Sequence, residues 1–327
     1  MKAVECTRYG APEVLKLIEI EIPKPKADEL LIRVYATAVN SGDVRIRKAD
    51  PWAVRLFFGF KRPKNPILGG VFSGEVVAVG RNVQTYKIGD TIFGTTGMTF
   101  GAYAEYLTVK ETGTIARRPD SLNHTEAAVI PFGAMTALHF MRKAEIQPGQ
   151  KILIYGASGA IGSAAVQLAK YYGAEVTAVC SGSNMELMRK IGADKVLNYQ
   201  QEGLSLNQEK YDVVYETVNK LSFRESRKHV KKGGTVVLGA ADFSKMLRAG
   251  ITGLFGQKIL TGVAKESGAE MKWMKELIDE GKFVPVIDRA FSLEELVEAH
   301  RYVDLGHKKG NVAVQVVGEP RNESFLR

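Results

Sequence analysis

The chain has 327 residues, 45% of them hydrophobic, and a formal net charge of +9. That length allows two folded domains with ordinary cores, and the composition excludes a disordered or collagen-like chain. Two cysteines, Cys6 and Cys180, are too few for a disulfide framework, and no apolar run reaches membrane-spanning length.

Met1 leads straight into a strand-like run at 3–8, which leaves no place for a signal peptide, so a cytoplasmic location is expected. To about residue 110 short apolar runs alternate with glycine, proline and polar turns. The strand candidates are Leu30-Leu-Ile-Arg-Val-Tyr-Ala36, Gly74-Glu-Val-Val-Ala-Val-Gly80, Asp90-Thr-Ile-Phe-Gly94 and Ala102-Tyr-Ala-Glu-Tyr-Leu-Thr-Val109. Their spacing predicts a sandwich or partial barrel. Between the first two, Arg45, Arg47, Lys48, Arg55, Lys61, Arg62 and Lys64 interleave with Trp52, Leu56, Phe57, Phe58 and Phe60. Such a stretch fits the apolar wall of a pocket with a solvated basic rim. From Trp52 to Phe60 it also offers a weak contact to an anionic membrane surface. The remaining positive charge is dispersed, and nucleic-acid binding is not expected.

Residues 124–142 turn helical. Lys151-Ile-Leu-Ile-Tyr-Gly-Ala-Ser-Gly-Ala-Ile-Gly-Ser163 then reads as a buried strand, a glycine turn and a helix start. Further strands are predicted over 176–180, 195–197, 213–215 and 235–238, with helices between them. This βαβ rhythm is that of a doubly wound parallel sheet, the Rossmann arrangement. Helices over 269–280 and 292–303 and a strand over 311–317 close the chain. The α/β module thus looks inserted between an N-terminal β region and a C-terminal return. The expected boundaries are 1–122 with 265–327 for the first domain and 123–264 for the second. An exposed edge strand of the parallel sheet, near 235–238 or 259–263, is the expected homodimer contact.

The glycine turn suits a dinucleotide diphosphate. Gly156, Ser158, Gly159, Ala160, Ile161 and Gly162 bring small residues and a helix N-terminus together, so backbone N–H groups and the positive end of a dipole face the phosphates. Ala157 stands where the usual G-x-G-x-x-G has its first glycine. An acidic residue at the end of the second strand would hold an NAD ribose. Ser181 stands there instead, with Ser183 and Tyr199 near it. The missing carboxylate removes a repulsion from a 2′-phosphate, so NADP(H) is favoured over NAD(H). The same serines can also simply cap the following helix.

Taken with Asn40-Ser-Gly-Asp43, Gly101-Ala-Tyr-Ala-Glu-Tyr106, Pro131-Phe-Gly-Ala-Met-Thr-Ala-Leu138 and Leu187-Met-Arg-Lys-Ile-Gly-Ala-Asp194, these motifs make the chain resemble the medium-chain dehydrogenase/reductase superfamily. The similarity is to its zinc-free quinone oxidoreductase branch, related to zeta-crystallin, and it runs over nearly the whole chain. It implies an α/β protein with a GroES-like β-barrel catalytic domain, a Rossmann doubly wound parallel-sheet domain, and a cleft between them. It implies hydride transfer from NADPH to quinones or other α,β-unsaturated carbonyls. By the same resemblance Asn40 and Asp43 lie on a polar loop lining the cleft, and Thr136 lies near the nicotinamide. Ser181, Ser183 and Tyr199 surround the 2′-phosphate, and Gly239, Ala240 and Ala241 lie beside the nicotinamide ribose. Two departures stand out: relatives carry Lys or Arg at the place of Ser183, and an acidic residue at the place of Val71.

No metal ligation is expected. Zinc relatives need an early catalytic cysteine and a Gly-His-Glu motif, and the five histidines here show no ligand spacing. Without a metal, the charge that develops on the substrate oxygen must be met by hydrogen bonds. The sequence names no compelling general acid: Asp43 is a poor one unless buried, and water can protonate the product. Arg45 is available to orient a polar substrate group. Two other functions fit the same residues: a reductase of enoyl thioesters or alkenals, and a nucleotide-binding partner protein with little turnover.

Overall fold

A computed structural model describes residues 1–201, 209–239 and 257–318. The N-terminal part opens with β1 (Lys2–Cys6) and β2 (Leu15–Glu19), which pair antiparallel. The next strand, β3 (Glu29–Val39), is buried almost end to end, as its unbroken apolar run requires. Two helices follow, α1 (Ser41–Lys48) and α2 (Val54–Phe58). Then come β4 (Val71–Val79), β5 (Thr91–Thr95), β6 (Tyr106–Lys110) and β7 (Ile115–Arg117). β6 is shorter than the predicted run over 102–109. Ala102, Tyr103 and Ala104 are instead buried as irregular chain, with Ala104 bridged to Ala3.

The predicted helix over 124–142 divides into α3 (His124–Ala128) and α4 (Ile130–Ala144), with Pro131 in the first turn of the second, where a missing N–H costs nothing. The α/β module then runs β8 (Lys151–Tyr155), α5 (Ala160–Tyr171), β9 (Glu175–Cys180), α6 (Met185–Lys190), β10 (Lys195–Asn198), β11 (Tyr211–Glu216), α7 (Phe223–His229), β12 (Val230–Leu238) and β13 (Lys258–Thr261). The last elements are α8 (Gly268–Asp279), β14 (Ile287–Ser292), α9 (Leu296–Asp304) and β15 (Asn311–Gln315). The predicted helix over 292–303 thus starts later than its sequence suggests, because Ser292 still ends a strand.

Among the described residues the module forms one parallel sheet in the order β10-β9-β8-β11-β12-β13. Strand order reverses between β8 and β11, which opens a crevice beyond their C-terminal ends. Residues 235–238 are not an edge: β12 lies between β11 and β13, and β13 is the outer strand on that side. The second large sheet has the order β14-β15-β3-β4-β5-β7, with β6 also on β3. Its pairing of β15 with β3 brings the C-terminal strand back onto the N-terminal sheet.

Helices α4 and α5 meet at backbone distance. A Cβ added at Gly133 would lie 2.5 Å from the Ala160 carbonyl oxygen, so glycine is required there for α5 to begin where it does. Beneath α1, the Arg47 guanidinium is fully buried. It donates to the Gly10 carbonyl at 2.6 Å, to Asp304 at 2.7 and 2.8 Å, and to His300 Nδ1 at 3.3 Å. Burial, then the Arg47 charge, push the His300 imidazole down to about 3, so it is a neutral acceptor.

Candidate active site

The glycine turn lies at the reversal point of the parallel sheet. Gly156, at φ +77°, lets the chain leave β8, and the amides of Gly156 and Ala157 both donate to the Val179 carbonyl at 3.1 and 3.0 Å. Gly159 caps α5 without a side-chain hydrogen bond. The first-turn amides of Ala160, Ile161 and Gly162 therefore have no acceptor within the helix and face outward as donors. A Cβ at Gly159 would meet a single neighbour, the Gly156 oxygen at 3.6 Å, so open space lies above this turn. The residues present fit a diphosphate.

At the ends of β8 and β9 a set of hydroxyls converges. Asn184 Nδ2 donates to Ser158 Oγ at 3.0 Å and to Ser181 Oγ at 3.1 Å, and Ser181 and Ser183 hydroxyls lie 3.3 Å apart. Asn184 Oδ1 is buried without a partner among the described residues. Tyr199 is 43% exposed, with its ring near that of Tyr155. The arrangement joins the phosphate turn to the end of the second strand through one amide, a link no local pattern predicts. Arg189 is exposed on α6, and its charge reaches the end of β9 at Cys180.

A cleft of about 980 Å³ contains Asn40, Gly42, Asp43, Phe58, Phe100 and Phe132 in its wall. Asn40 and Asp43 sit on α1 and its N-cap, so the expected polar loop is a helix start. The Asn40 N–H donates to Asp43 Oδ2 at 2.9 Å, the carboxylate half of a capping arrangement. Burial pushes the Asp43 carboxyl up to about 6, against hydrogen bonding from the Asn40 backbone that favours the anion. Asn40 Nδ2 is buried and has no hydrogen-bond partner among the described residues. Arg45 lies half-buried on the same helix, outside the cleft lining. Thr136 is committed to its own helix, donating to the Phe132 carbonyl at 2.7 Å. Gly239 closes β12 against Tyr215, whose ring a Cβ there would approach to 2.6 Å. Ala240 and Ala241 lie outside the described residues.

Three contributors escaped sequence reasoning. Glu266 lines the cleft and accepts from Thr95 Oγ1 at 2.8 Å, and burial raises its carboxyl above the usual range. Thr217, after β11, donates to the carbonyls of Tyr155 and Gly156 and so braces the turn. The Gly310 N–H donates to the Ser158 carbonyl at 2.7 Å, which lays the 306–310 turn against the phosphate turn, with Lys308 Nζ held on the Gly310 carbonyl. Apart from the Lys308–Gly310 contact, none of these is local in sequence.

Among the described residues no group of three or more His, Cys, Asp or Glu side chains is placed to hold a metal ion. Cys6 and Cys180 are free and buried, and burial pushes both thiols up to about 11. His124 and His300 are neutral for the same reason, each pushed down to about 3. No described helix is long and apolar enough to cross a membrane.

Comparison with known proteins agrees with this geometry. Residues 26–120 match the alcohol dehydrogenase GroES-like domain, and residues 191–314 match the family described as zinc-binding dehydrogenase. The chain is 32% identical to a 2-methylene-furan-3-one reductase of Solanum lycopersicum, over 97% of this chain and 79% of that one. It is 31% identical to an NADPH-dependent alkenal/one oxidoreductase of Arabidopsis thaliana, over 96% and 79% of the two chains. The solved quinone oxidoreductase from Coxiella burnetii superposes with a TM-score of 0.89 at 28% identity, covering 97% of this chain and 99% of that one. With relatives above 30% identity aligned over nearly its whole length and family models matching both of its parts, the chain belongs to the medium-chain dehydrogenase/reductase superfamily, with its quinone and alkenal oxidoreductases.

Proposed function

We propose that this protein is an NADPH-dependent, zinc-independent reductase of quinones and other α,β-unsaturated carbonyls. NADPH, when bound, supplies a hydride to the electron-poor carbon of the acceptor. The outward amides of Ala160, Ile161 and Gly162, with Gly156 shaping the turn, bind the diphosphate. Ser181, Ser183 and Tyr199 surround the adenosine phosphate, with Ser158 tied to them through Asn184. Hydroxyl donors and the absence of a carboxylate at the end of β9 favour the 2′-phosphate form. Thr136 and Gly239 are assigned to the nicotinamide end, and Arg45 is left without a role.

The observation that carries the reading is Asn40 Nδ2, a buried amide donor near the Asp43 carboxyl but without a well-formed hydrogen bond among the described residues of the cleft wall. A buried donor left unmade is costly, so an acceptor atom in the cleft is its natural partner. The carbonyl oxygen of a conjugated acceptor gains negative charge as hydride reaches the β-carbon, and a fixed N–H there lowers the barrier. Asp43 holds the Asn40 backbone and thereby the direction of its side chain. Burial holds the Asp43 carboxyl up at about 6. Water protonates the product. Among the described residues no thiol or imidazole lines the cleft. Enones, alkenals and enoyl thioesters share the same electrophilic carbon, and the alkenal and furanone reductases among the relatives favour this broad class over quinones alone.

Residues 1–122 and 265–327 are assigned to the catalytic domain and 123–264 to the nucleotide-binding domain; the β15–β3 pairing supports this. The outer strand β13 supports a homodimer built by sheet extension. Two buried free thiols suit a reducing compartment, and we place the enzyme in the cytoplasm.

Asn40→Ala should lower kcat/KM for enone and quinone by about 10²-fold. NADPH affinity should stay unchanged, and the melting temperature should fall by only a few degrees, about the cost of a lost helix N-cap. Steady-state turnover with calorimetric NADPH titration checks this, and undiminished turnover would remove Asn40 from the chemistry.

A further inference from the structure

The outer face around α2 is bare. Trp52 is 57% exposed, Leu56 63%, Phe57 73% and Phe60 64%. Four large apolar side chains within nine residues are an unusual amount of uncovered apolar surface for one short stretch. Their neighbour Phe58 turns the other way: its ring lies 5.7 Å from that of Phe100, and both line the cleft.

The charge around this lobe has one sign. Between Asp50 and Glu75 the sequence has no acidic residue, and Lys61, Arg62 and Lys64 are exposed beside the aromatics. Arg62 has its nearest carboxylate, Glu5, at 4.0 Å, too far for a firm pair. Tryptophan and phenylalanine at the headgroup level, with lysine and arginine on lipid phosphates, is the chemistry of an anionic bilayer surface. A nucleic acid would use the cations but gain little from exposed Leu56 and Phe57.

We propose that the 52–64 lobe docks on an anionic lipid bilayer, and that the cleft behind it draws a lipid-dissolved quinone or enone from that bilayer. The acceptor half rests on the reductase reading above. Its route is apolar: the Phe58–Phe100 pair forms the inner wall, and Met98 and Val263, 65% and 85% exposed, stand on the rim of the same cleft. A lipophilic acceptor can thus pass from the bilayer to the cleft without crossing bulk water.

The full chain supplies its own probe. Trp52 and Trp273 are the two tryptophans, so in a Trp273→Phe background the emission of Trp52 reports on the lobe. With phosphatidylcholine vesicles containing phosphatidylglycerol, the emission should move to shorter wavelength and the protein should sediment with the lipid. With phosphatidylcholine alone it should do neither. Lys61→Gln and Arg62→Gln should each weaken binding about fivefold, and high salt should weaken it further. Phe57→Asp should leave turnover of a short, water-soluble quinone unchanged and slow turnover of a vesicle-dissolved long-chain quinone at least tenfold, roughly the loss expected for placing a charge in the interface.

No wavelength shift and no sedimentation with the anionic vesicles would overturn the docking. So would displacement from them by a DNA duplex that binds more tightly. Equal loss of both quinone activities in folded Phe57→Asp would overturn the supply route. Vesicle binding needs no turnover, so absence of turnover with every acceptor would defeat the reductase reading, and the acceptor half with it, on its own evidence.

Discussion

Gly159→Ala is expected to weaken NADPH binding at least about tenfold while leaving the protein folded, whereas Gly162→Ala is expected to unsettle the fold itself. The two glycines are three residues apart and look equivalent in sequence. Gly159 has φ −80° and ψ 178°, a conformation any residue adopts, and an added Cβ would make only an ordinary contact of 3.6 Å. Nothing in the fold requires glycine there. The space above it is where a diphosphate must approach the backbone, and a methyl group occupies that space. As a helix cap, alanine in place of glycine costs less than about 1 kcal/mol. At Gly162 an added Cβ would lie 2.2 Å from the Gly156 oxygen and 2.6 Å from Ala157 Cα. Both are backbone atoms and cannot turn away, so the β8–α5 turn must open, at a cost of about 1–3 kcal/mol or more. Thermal unfolding and calorimetric titration of the two variants separate the roles. Unchanged NADPH affinity in Gly159→Ala would contradict the placement of the diphosphate.

Arg47→Ala is expected to destabilise the protein by about 3–5 kcal/mol, the usual cost of removing one partner of a buried ion pair. Arg47 is fully buried and its side chain reaches three groups on two segments: the Gly10 carbonyl, and the His300 ring and Asp304 carboxylate of α9. Truncation leaves a carbonyl and an imidazole nitrogen short of their donor and Asp304 with Lys48 alone at 3.0 Å, besides a cavity. Arg47→Lys should recover less than half of the loss, since one ammonium cannot reproduce a planar fork of donors. Urea unfolding of both variants measures this. A loss within about 1 kcal/mol for Arg47→Ala would show that the cluster carries little of the stability, as exposed pairs do.

Arg47 shows where sequence reasoning stops. In the sequence it is one of a run of basic residues, because burial of a charge depends on partners 37 and 257 positions away. The glycine turn and the strand–helix rhythm were legible because their physics is local: apolar runs, small residues and a helix start within one stretch. The β15–β3 pairing was legible only as a return of the chain, without register. Of the two candidate edges, 259–263 overlaps the outer strand β13, whereas 235–238 is covered by β13 through a parallel connection that no local signal announces. In the cleft, Asn40 and Asp43 were found, but as a loop. The spacing Asn-x-x-Asp ahead of Val44 and Ile46 is a capping pattern and could have been read as one. Glu266 and Gly310 belong to the site through contacts with Thr95 and Ser158, far away in the chain. Thr136, by contrast, makes the helical hydrogen bond that its position in an apolar helix allows.

The most direct measurement of the central claim is the position of deuterium in the product when an open-chain enone is reduced with NADPH carrying deuterium at both C4 positions. The account predicts that the saturated ketone carries the label at its β-carbon, and that this transfer falls about 10²-fold in Asn40→Ala. A labelled allylic alcohol, or a product without label from well-folded protein that consumes NADPH, would contradict it.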